Sequence, residues 1–282
     1  MATQHTLYIV ATPIGHRQDL SMRAVEILSS VSRIYAEDTR HSQQLLRHYG
    51  IETRLHALHE HNEAARAQAV VKYLQTGGSA ALITDAGTPL ISDPGYRLVR
   101  ACHDAGIVVS PIPGASALTA ALSVSGLPTD RFLFVGFPPA KSAARRQWLE
   151  PLAVAGHTLI LFESPHRIVG SLSDLAEVLG ADREMTLARE LTKRFETLIH
   201  GRIDEVLLRV KEDPNQQRGE FVLVVAGSSS AVLSASETET DRLLLTLLKH
   251  MPVKTVAKCA AEISGISRKQ AYDRAIDLQG KN

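Results

Sequence analysis

The chain has 282 residues, 44% of them hydrophobic and 22% charged, with a formal net charge of +1. Length and composition are those of a globular protein with one large domain or two ordinary ones, and no global field advertises a nucleic-acid partner. Cys102 and Cys259, far apart and without further cysteines, argue against a disulfide framework or a cysteine-ligated zinc site and fit a reducing cytosol.

No apolar run is long enough for a membrane span, and the N-terminus lacks a basic, apolar, small-residue leader, so the chain reads as cytoplasmic. From there, apolar β-rich runs alternate with helical stretches. "LYIV" (7–10) reads as a strand, and "SMRAVEILSSV" (21–31) as a helix with Met22, Val25, Ile27 and Leu28 on its apolar face. "RIYAED" is a second strand candidate, and "SQQLLRHYG" a helix closed by Gly50. His56, His59 and His61 crowd together in "LHALHEHNE", but without H-E-x-x-H they read as loop histidines, and no metal is expected. "ARAQAVVKYLQTGG" reads as a helix, "SAALITDAG" as a buried strand, "YRLVRACHDAG" as a helix and "IVVSPIPG" as a strand. This alternation predicts an α/β domain with a mostly parallel sheet.

After Pro113-Gly114 the pattern restarts. "ASALTAALSVSG" reads as a helix, "RFLFVGF" and "HTLILFES" as strands, "RIVGSLSDLAEVLG" as an amphipathic helix, and "EMTLAREL" and "GEFVLVVAG" as strands. The chain therefore divides into α/β domains over 1–114 and 115–227, a polar linker over 228–240, and a helical tail over 241–282.

Ligands of open α/β sheets sit beyond the carboxyl ends of the strands. Three small-residue stretches fall there: "ATPIG", "TDAGTPLISDPG" and "PIPGASA". One would be an ordinary strand-to-helix turn. Three, with Asp85 directly at a strand end, point to a site. The first lacks the G-x-G-x-x-G spacing that brings backbone to a pyrophosphate, so a dinucleotide is not expected. Asp85 and Asp93 flank "AGTPLIS", and a metal role for them would need further converging carboxylates.

Five stretches, "VATPIGHRQDLSMRAVEIL", "YAEDTRHSQQLL", "LITDAGTPLISDPGYRLV", "PIPGASALTAALSVSGLPTDRFLFVGFPP" and "FESPHRI", resemble the tetrapyrrole-methylase-type (class III) S-adenosylmethionine methyltransferases over about residues 7–226. Within them the chain is similar to the branch that methylates the ribose 2′-oxygen of a cytidine in small-subunit (16S) ribosomal RNA. The resemblance implies two α/β domains with a cofactor cleft between them, a homodimer, and S-adenosylmethionine as cofactor. Carried over by position, it implies cofactor contacts from Pro13 and Ile14, from Asp85, Ala86, Gly87 and Leu90, from Ser116 and Ala117, and from Glu163 and Leu191. Relatives have a "GxGxGD"-like first loop where this chain has Ala11-Thr12-Pro13-Ile14-Gly15-His16.

The implied reaction is displacement at the cofactor methyl by a ribose hydroxyl, the O–C bond forming as the C–S bond breaks and the thioether leaves, and Glu163, Glu190 and Lys141 are the candidates to take the proton. Lys141, Arg145 and Arg146 in "PPAKSAARRQWL", Arg167 in "ESPHRI", and Arg189 and Lys193 in "ARELTKRFE" are candidate RNA contacts, against the alternative of solvated charge. In the tail, residues 249–282 carry seven Lys/Arg against three Asp/Glu. They read as helix, turn at Gly265 and helix with Ser267 as N-cap, a helix-turn-helix-like shape. Arg268 and Lys269 are its candidate phosphate contacts, with RNA rather than DNA as the expected partner; the alternative is an appendage that packs on the body. A tetrapyrrole ring as substrate, or a non-catalytic nucleic-acid-binding role, are the competing readings. The basic stretches speak against the first.

Overall fold

The computed structural model describes residues 3–228, 240–264 and 266–279. The first sheet contains β1 (Thr6–Val10), β2 (Arg33–Ala36), β3 (Leu55–Ala57), β4 (Ser79–Ile83) and β5 (Val108–Ile112). All its pairings are parallel, in the order β3-β2-β4-β1-β5. Helices α1 (Met22–Ser30), α2 (Thr39–His48), α3 (Glu60–Gln75) and α4 (Tyr96–Asp104) connect the strands. Alternation along β1 supplies both faces: Tyr8 and Val10 join Leu28, Ile34 and Leu46 in one core, and Leu7 joins Leu74, Leu82 and Leu98 in the other.

Two expectations fail here. Met22 is 89% exposed, and Ala24, Ile27 and Leu28 fill the buried face of α1. At ~100° per residue Met22 falls roughly opposite Ala24. The loop read around the histidines contains β3, whose His56 lies against Tyr35 with ring centroids 5.5 Å apart. Burial, then the charges of Arg33, Arg54 and Arg66, hold the His56 pKa below its ordinary value. His59 begins α3 and pairs with Asn62.

The second sheet contains β6 (Phe132–Gly136), β7 (Thr158–Glu163), β8 (Glu184–Arg189), β9 (Thr197–Arg202) and β10 (Phe221–Val225), in the order β6-β7-β10-β8-β9. Only β6 and β7 pair in parallel; the other three pairings are antiparallel. The mostly parallel expectation therefore describes the first sheet alone. A short loop between β8 and β9 permits a hairpin and no crossover. Helices α5 (Ala117–Val124), α6 (Ser142–Leu149), α7 (Ile168–Leu179) and α8 (Ile203–Glu212) complete the domain. Leu159, Leu161, Leu172, Leu187 and Phe221 centre its larger core.

In the tail, a helix across 240–248 (α9) precedes α10 (Val253–Ser264) and α11 (Arg268–Gln279). They enclose a small core of their own around Leu244, Val256, Ala260, Ala271 and Ala275. Ser267 caps α11, its Oγ accepting the Gln270 amide at 3.2 Å while its own amide donates to Gln270 Oε1 at 3.1 Å. Gly265 and most of the 228–240 linker lie outside the described residues.

Candidate cofactor cleft

The three small-residue loops follow β1, β4 and β5, which are neighbours in a parallel sheet, so their carboxyl ends share one edge. They are tied together. Thr12 and Gly87 exchange backbone hydrogen bonds of 2.8 and 3.0 Å, the Thr12 hydroxyl donates to the Thr84 carbonyl at 3.0 Å, and the Thr88 hydroxyl donates to the Ala115 carbonyl at 3.1 Å. Beyond this edge lie a cavity of about 440 Å³ and a smaller one of about 260 Å³, which share Ile14, Asp85, Ala86 and Glu220 in their walls. The larger takes Ala117, Phe137, Phe162 and Val222 from beyond residue 115, so both domains build it.

Its walls are apolar with an acidic side. Asp85, itself accepting the Asp38 amide at 3.2 Å, lines it together with Glu37 and Asp93. Asp38 in turn caps α2 by accepting the Arg40 and His41 amides, which fixes His41, Gln44 and Leu45 against the smaller cavity. Burial, then the charge of Asp85, raises the Glu37 pKa. Burial is also the largest cause at Asp93, and with the charges of Glu37 and Asp85 it brings that pKa up to about 6.

The residues expected to contact a cofactor fall as follows. Pro13, Ile14, Asp85, Ala86, Ala117 and Glu163 line the two cavities. Gly87 holds the first loop through Thr12, and Ser116 is the N-cap residue of α5. The Leu90 side chain packs into the first domain's core, and that of Leu191 against the second domain's.

Of the expected proton acceptors, Glu163 has a fully buried side chain that pairs with Arg167 at 2.7 Å, accepts the Ser164 amide at 2.7 Å and accepts the Ser171 hydroxyl. Glu190 accepts from Lys193 Nζ at 2.9 Å and from the Glu220 amide at 3.0 Å. Burial alone would raise the Glu190 pKa, but these hydrogen bonds and the Lys193 and Arg189 charges outweigh it and hold the carboxyl low. Both carboxylates are committed to internal partners. Lys141 is exposed at the start of α6 and lines neither cavity.

Two expected RNA contacts are corrected. Arg145 is buried, bonded through Nη2 to Asp174 at 2.6 Å and through Nη1 to the Pro139 and Ala140 carbonyls. Arg189 is buried too, donating to the Arg218 and Phe195 carbonyls at 2.6 and 2.9 Å. Their guanidinium groups are occupied within the domain. Arg146 pairs with Glu177 at 2.7 Å and stays partly exposed, Lys193 bridges Glu190 and Glu220, and Arg268 and Lys269 are exposed on α11. Nothing local in the sequence marks Glu37, which reaches the cavity because β2 lies beside β4, and spacing alone makes Asp93 a weak metal candidate.

The domains also meet across the first loop. The Thr192 hydroxyl accepts the His16 amide at 3.1 Å, and a Cβ on Gly15 would lie 2.5 Å from Lys193 Cγ, 2.7 Å from Thr192 Oγ1 and 2.9 Å from the Leu191 carbonyl oxygen. Only glycine lets the loop over 190–196 rest there. Gly15→Val is therefore expected to lift that loop and weaken cofactor binding by roughly five- to a hundred-fold, the effect of about 1–3 kcal/mol of overpacking. Calorimetry with S-adenosylmethionine checks this, and unchanged affinity would remove the contact from any role in closing the cleft.

The family model described as tetrapyrrole (corrin/porphyrin) methylases matches residues 6–207, and the one described as the RsmI C-terminal HTH domain matches residues 234–279. The chain is 53% identical to ribosomal RNA small subunit methyltransferase I of Xylella fastidiosa (strain Temecula1), over 96% of this chain and 99% of that one. It is 48% identical to the protein of the same name from Escherichia coli O157:H7, over 99% and 97%. Among solved structures, uroporphyrin-III-C-methyltransferase from Thermus thermophilus aligns with a TM-score of 0.56 at 20% identity, covering 79% of this chain and 94% of that one. Diphthine synthase aligns at 0.58 and 15% identity, covering 78% and 90%; likeness at these identities concerns the fold.

Proposed function

The chain belongs to the tetrapyrrole (corrin/porphyrin) methylase family, and from that premise we propose that it transfers a methyl group from S-adenosylmethionine to the ribose 2′-oxygen of a cytidine in 16S ribosomal RNA. The observation that carries the reading is the two-domain cavity: apolar on Ile14, Ala117, Phe162 and Val222, acidic on Glu37, Asp85 and Asp93. Such a lining suits a cationic nucleoside without a pyrophosphate, and its volume lies in the range of small-molecule sites. When bound, S-adenosylmethionine supplies an electrophilic methyl group on a positively charged sulfur. The protein's part is to bind it between the domains, to exclude water through the 190–196 loop, and to hold the ribose hydroxyl in line.

Asp93, in place of Glu163, Glu190 and Lys141, is the proposed acceptor of the hydroxyl proton. Asp93 lines the cavity, and a pKa of about 6 leaves it ionised at pH 7 yet basic enough to accept a proton on a carboxylate oxygen. Glu163 acts indirectly: with Ser164 and Arg167 it fixes the turn that leads from β7 into α7.

Of the expected contacts, exposed Lys141, Arg268 and Lys269, with half-exposed Arg146, are the ones best placed to meet RNA phosphates. The relatives' names and the match of the tail to its own family model favour ribosomal RNA over a tetrapyrrole ring. Acidic Asp273 and Asp277 on α11 speak against a DNA-reading helix. No helix among the described residues is long and apolar enough to cross a membrane, and the proposed substrate puts the reaction in the cytoplasm. Exposed Val108 on edge strand β5, and Phe132 and Leu133 on edge strand β6, are the apolar surfaces a second copy would cover in a homodimer.

The test is incubation of the protein with methyl-labelled S-adenosylmethionine and small ribosomal subunits, followed by digestion of the RNA to nucleosides and mass spectrometry. Label in 2′-O-methylcytidine is the expected result. Label on a base, or none, contradicts the proposal.

A further inference from the structure

We propose that Phe137 is the stacking platform for the nucleobase of the substrate nucleotide, an inference that rests on the RNA-methylation reading above. Phe137 lines the larger cavity and is 52% exposed, the most open of the large apolar side chains in that wall. An exposed aromatic ring is costly to keep in water, and here the backbone is built to keep it. Pairing of β6 with β7 shifts register between Phe134 and Gly136, and Gly136 adopts φ 70°, so the strand is bent just before Phe137. Just after it come Pro138 and Pro139. Arg167 donates to the Pro138 carbonyl at 3.2 Å, and Arg145 donates to the Pro139 and Ala140 carbonyls at 3.3 and 3.2 Å. Each arginine is anchored by a buried carboxylate, Arg167 by Glu163 and Arg145 by Asp174.

The ring itself is braced edge-on by Phe162, with centroids 5.6 Å apart, and Phe162 is braced likewise by Phe134 at 4.8 Å. A bulge, two prolines and two arginines anchored on buried carboxylates thus hold one aromatic ring at the rim of the cavity. A planar heteroaromatic ring can stack there without ordering the protein first. Single-stranded RNA is recognised in this way, by bases unstacked from their neighbours and laid on aromatic side chains.

Two rings are available in the reaction, the adenine of the cofactor and the base of the substrate. Position favours the substrate. Phe137 stands at the solvent-open side of the wall, whereas Ile14 and Val222 lie buried. The end of β6 also faces the loop that carries Asp93, because a Cβ on Gly136 would be 3.9 Å from Ser92 Oγ. A base held on Phe137 brings its ribose beside the proposed proton acceptor.

The experiment compares wild type, Phe137→Ala and Phe137→Trp in three measurements: S-adenosylmethionine affinity by calorimetry, affinity for a small-subunit RNA fragment, and the KM and kcat of methyl transfer to it. Phe137→Ala is expected to weaken RNA affinity and raise KM by roughly ten- to a hundred-fold, as for loss of one base–aromatic stack. Cofactor affinity should change far less than RNA affinity, the melting temperature should fall only slightly, and Phe137→Trp should restore RNA affinity. Loss of cofactor affinity with KM unaltered would assign the ring to adenine and overturn the proposal, as would an Ala variant identical to wild type in every measurement. The wild-type arm tests the functional reading separately: no methyl transfer to RNA there fails that reading whatever the variants do.

Discussion

Asp93→Asn is expected to lower kcat by about 10²- to 10⁴-fold, the contribution of a positioned general base, while the protein still binds S-adenosylmethionine. Asn is nearly isosteric and cannot accept the proton. In the wild type, kcat/KM should rise with pH through the region of the Asp93 pKa, about 6, and level off above it, because the carboxylate must be ionised to act. A bound cation favours the charged form, so saturation with cofactor should move this limb to lower pH. Stability should move the other way. The pKa of Asp93 is raised in the fold above the ordinary aspartate value of 3.8, so folding favours the protonated carboxyl. Its contribution is fully present below the unfolded value and is lost as pH rises through the folded one. Asp93→Asn should therefore raise the melting temperature at pH 7.5 and leave it little changed at pH 4. A variant slower in catalysis yet more stable at neutral pH is what a carboxylate held in an unfavourable place for function predicts. A fully active variant would return the proton to another group.

Arg145→Ala is expected to destabilise the second domain by about 3–5 kcal/mol, because it leaves Asp174 buried without its counter-ion. Arg145 Nε and Nη2 both bond Asp174 Oδ2, at 2.7 and 2.6 Å, with both side chains almost fully buried. Lysine cannot supply the paired donors and the contacts to two carbonyls together, so Arg145→Lys should rescue little. Arg146→Ala, removing a half-exposed partner of Glu177, should cost under about 1 kcal/mol. Denaturant midpoints of the three variants check this. An Arg145→Ala protein as stable as wild type but weaker toward RNA would restore the phosphate-binding role read from the sequence.

These two residues separate what local sequence shows from what only the fold brings together. The runs that became β1, β4 and β5, and the small-residue loops after them, are local patterns, so the cavity edge was legible. Strand order is not local: β10 lies antiparallel between β7 and β8 through pairings of distant segments, and β3 has only three residues to show a period. The same holds for charge. "AKSAARRQWL" gives no sign that Asp174, 29 residues beyond Arg145, neutralises it inside the domain. The convergence of Glu37 with Asp85 and Asp93 likewise depends on β2 lying beside β4. Glu163 and Arg167, four residues apart, form an ion pair that supports the site.

The most direct measurement is a calorimetric titration of S-adenosylmethionine into the wild-type protein and into Ala86→Trp, whose exposed small side chain lines both cavities. One equivalent bound per chain in the wild type, and none in a variant that melts at the same temperature, is the predicted result. No saturable heat in the wild type, or undiminished binding by Ala86→Trp, would contradict the assignment of this cleft to the cofactor.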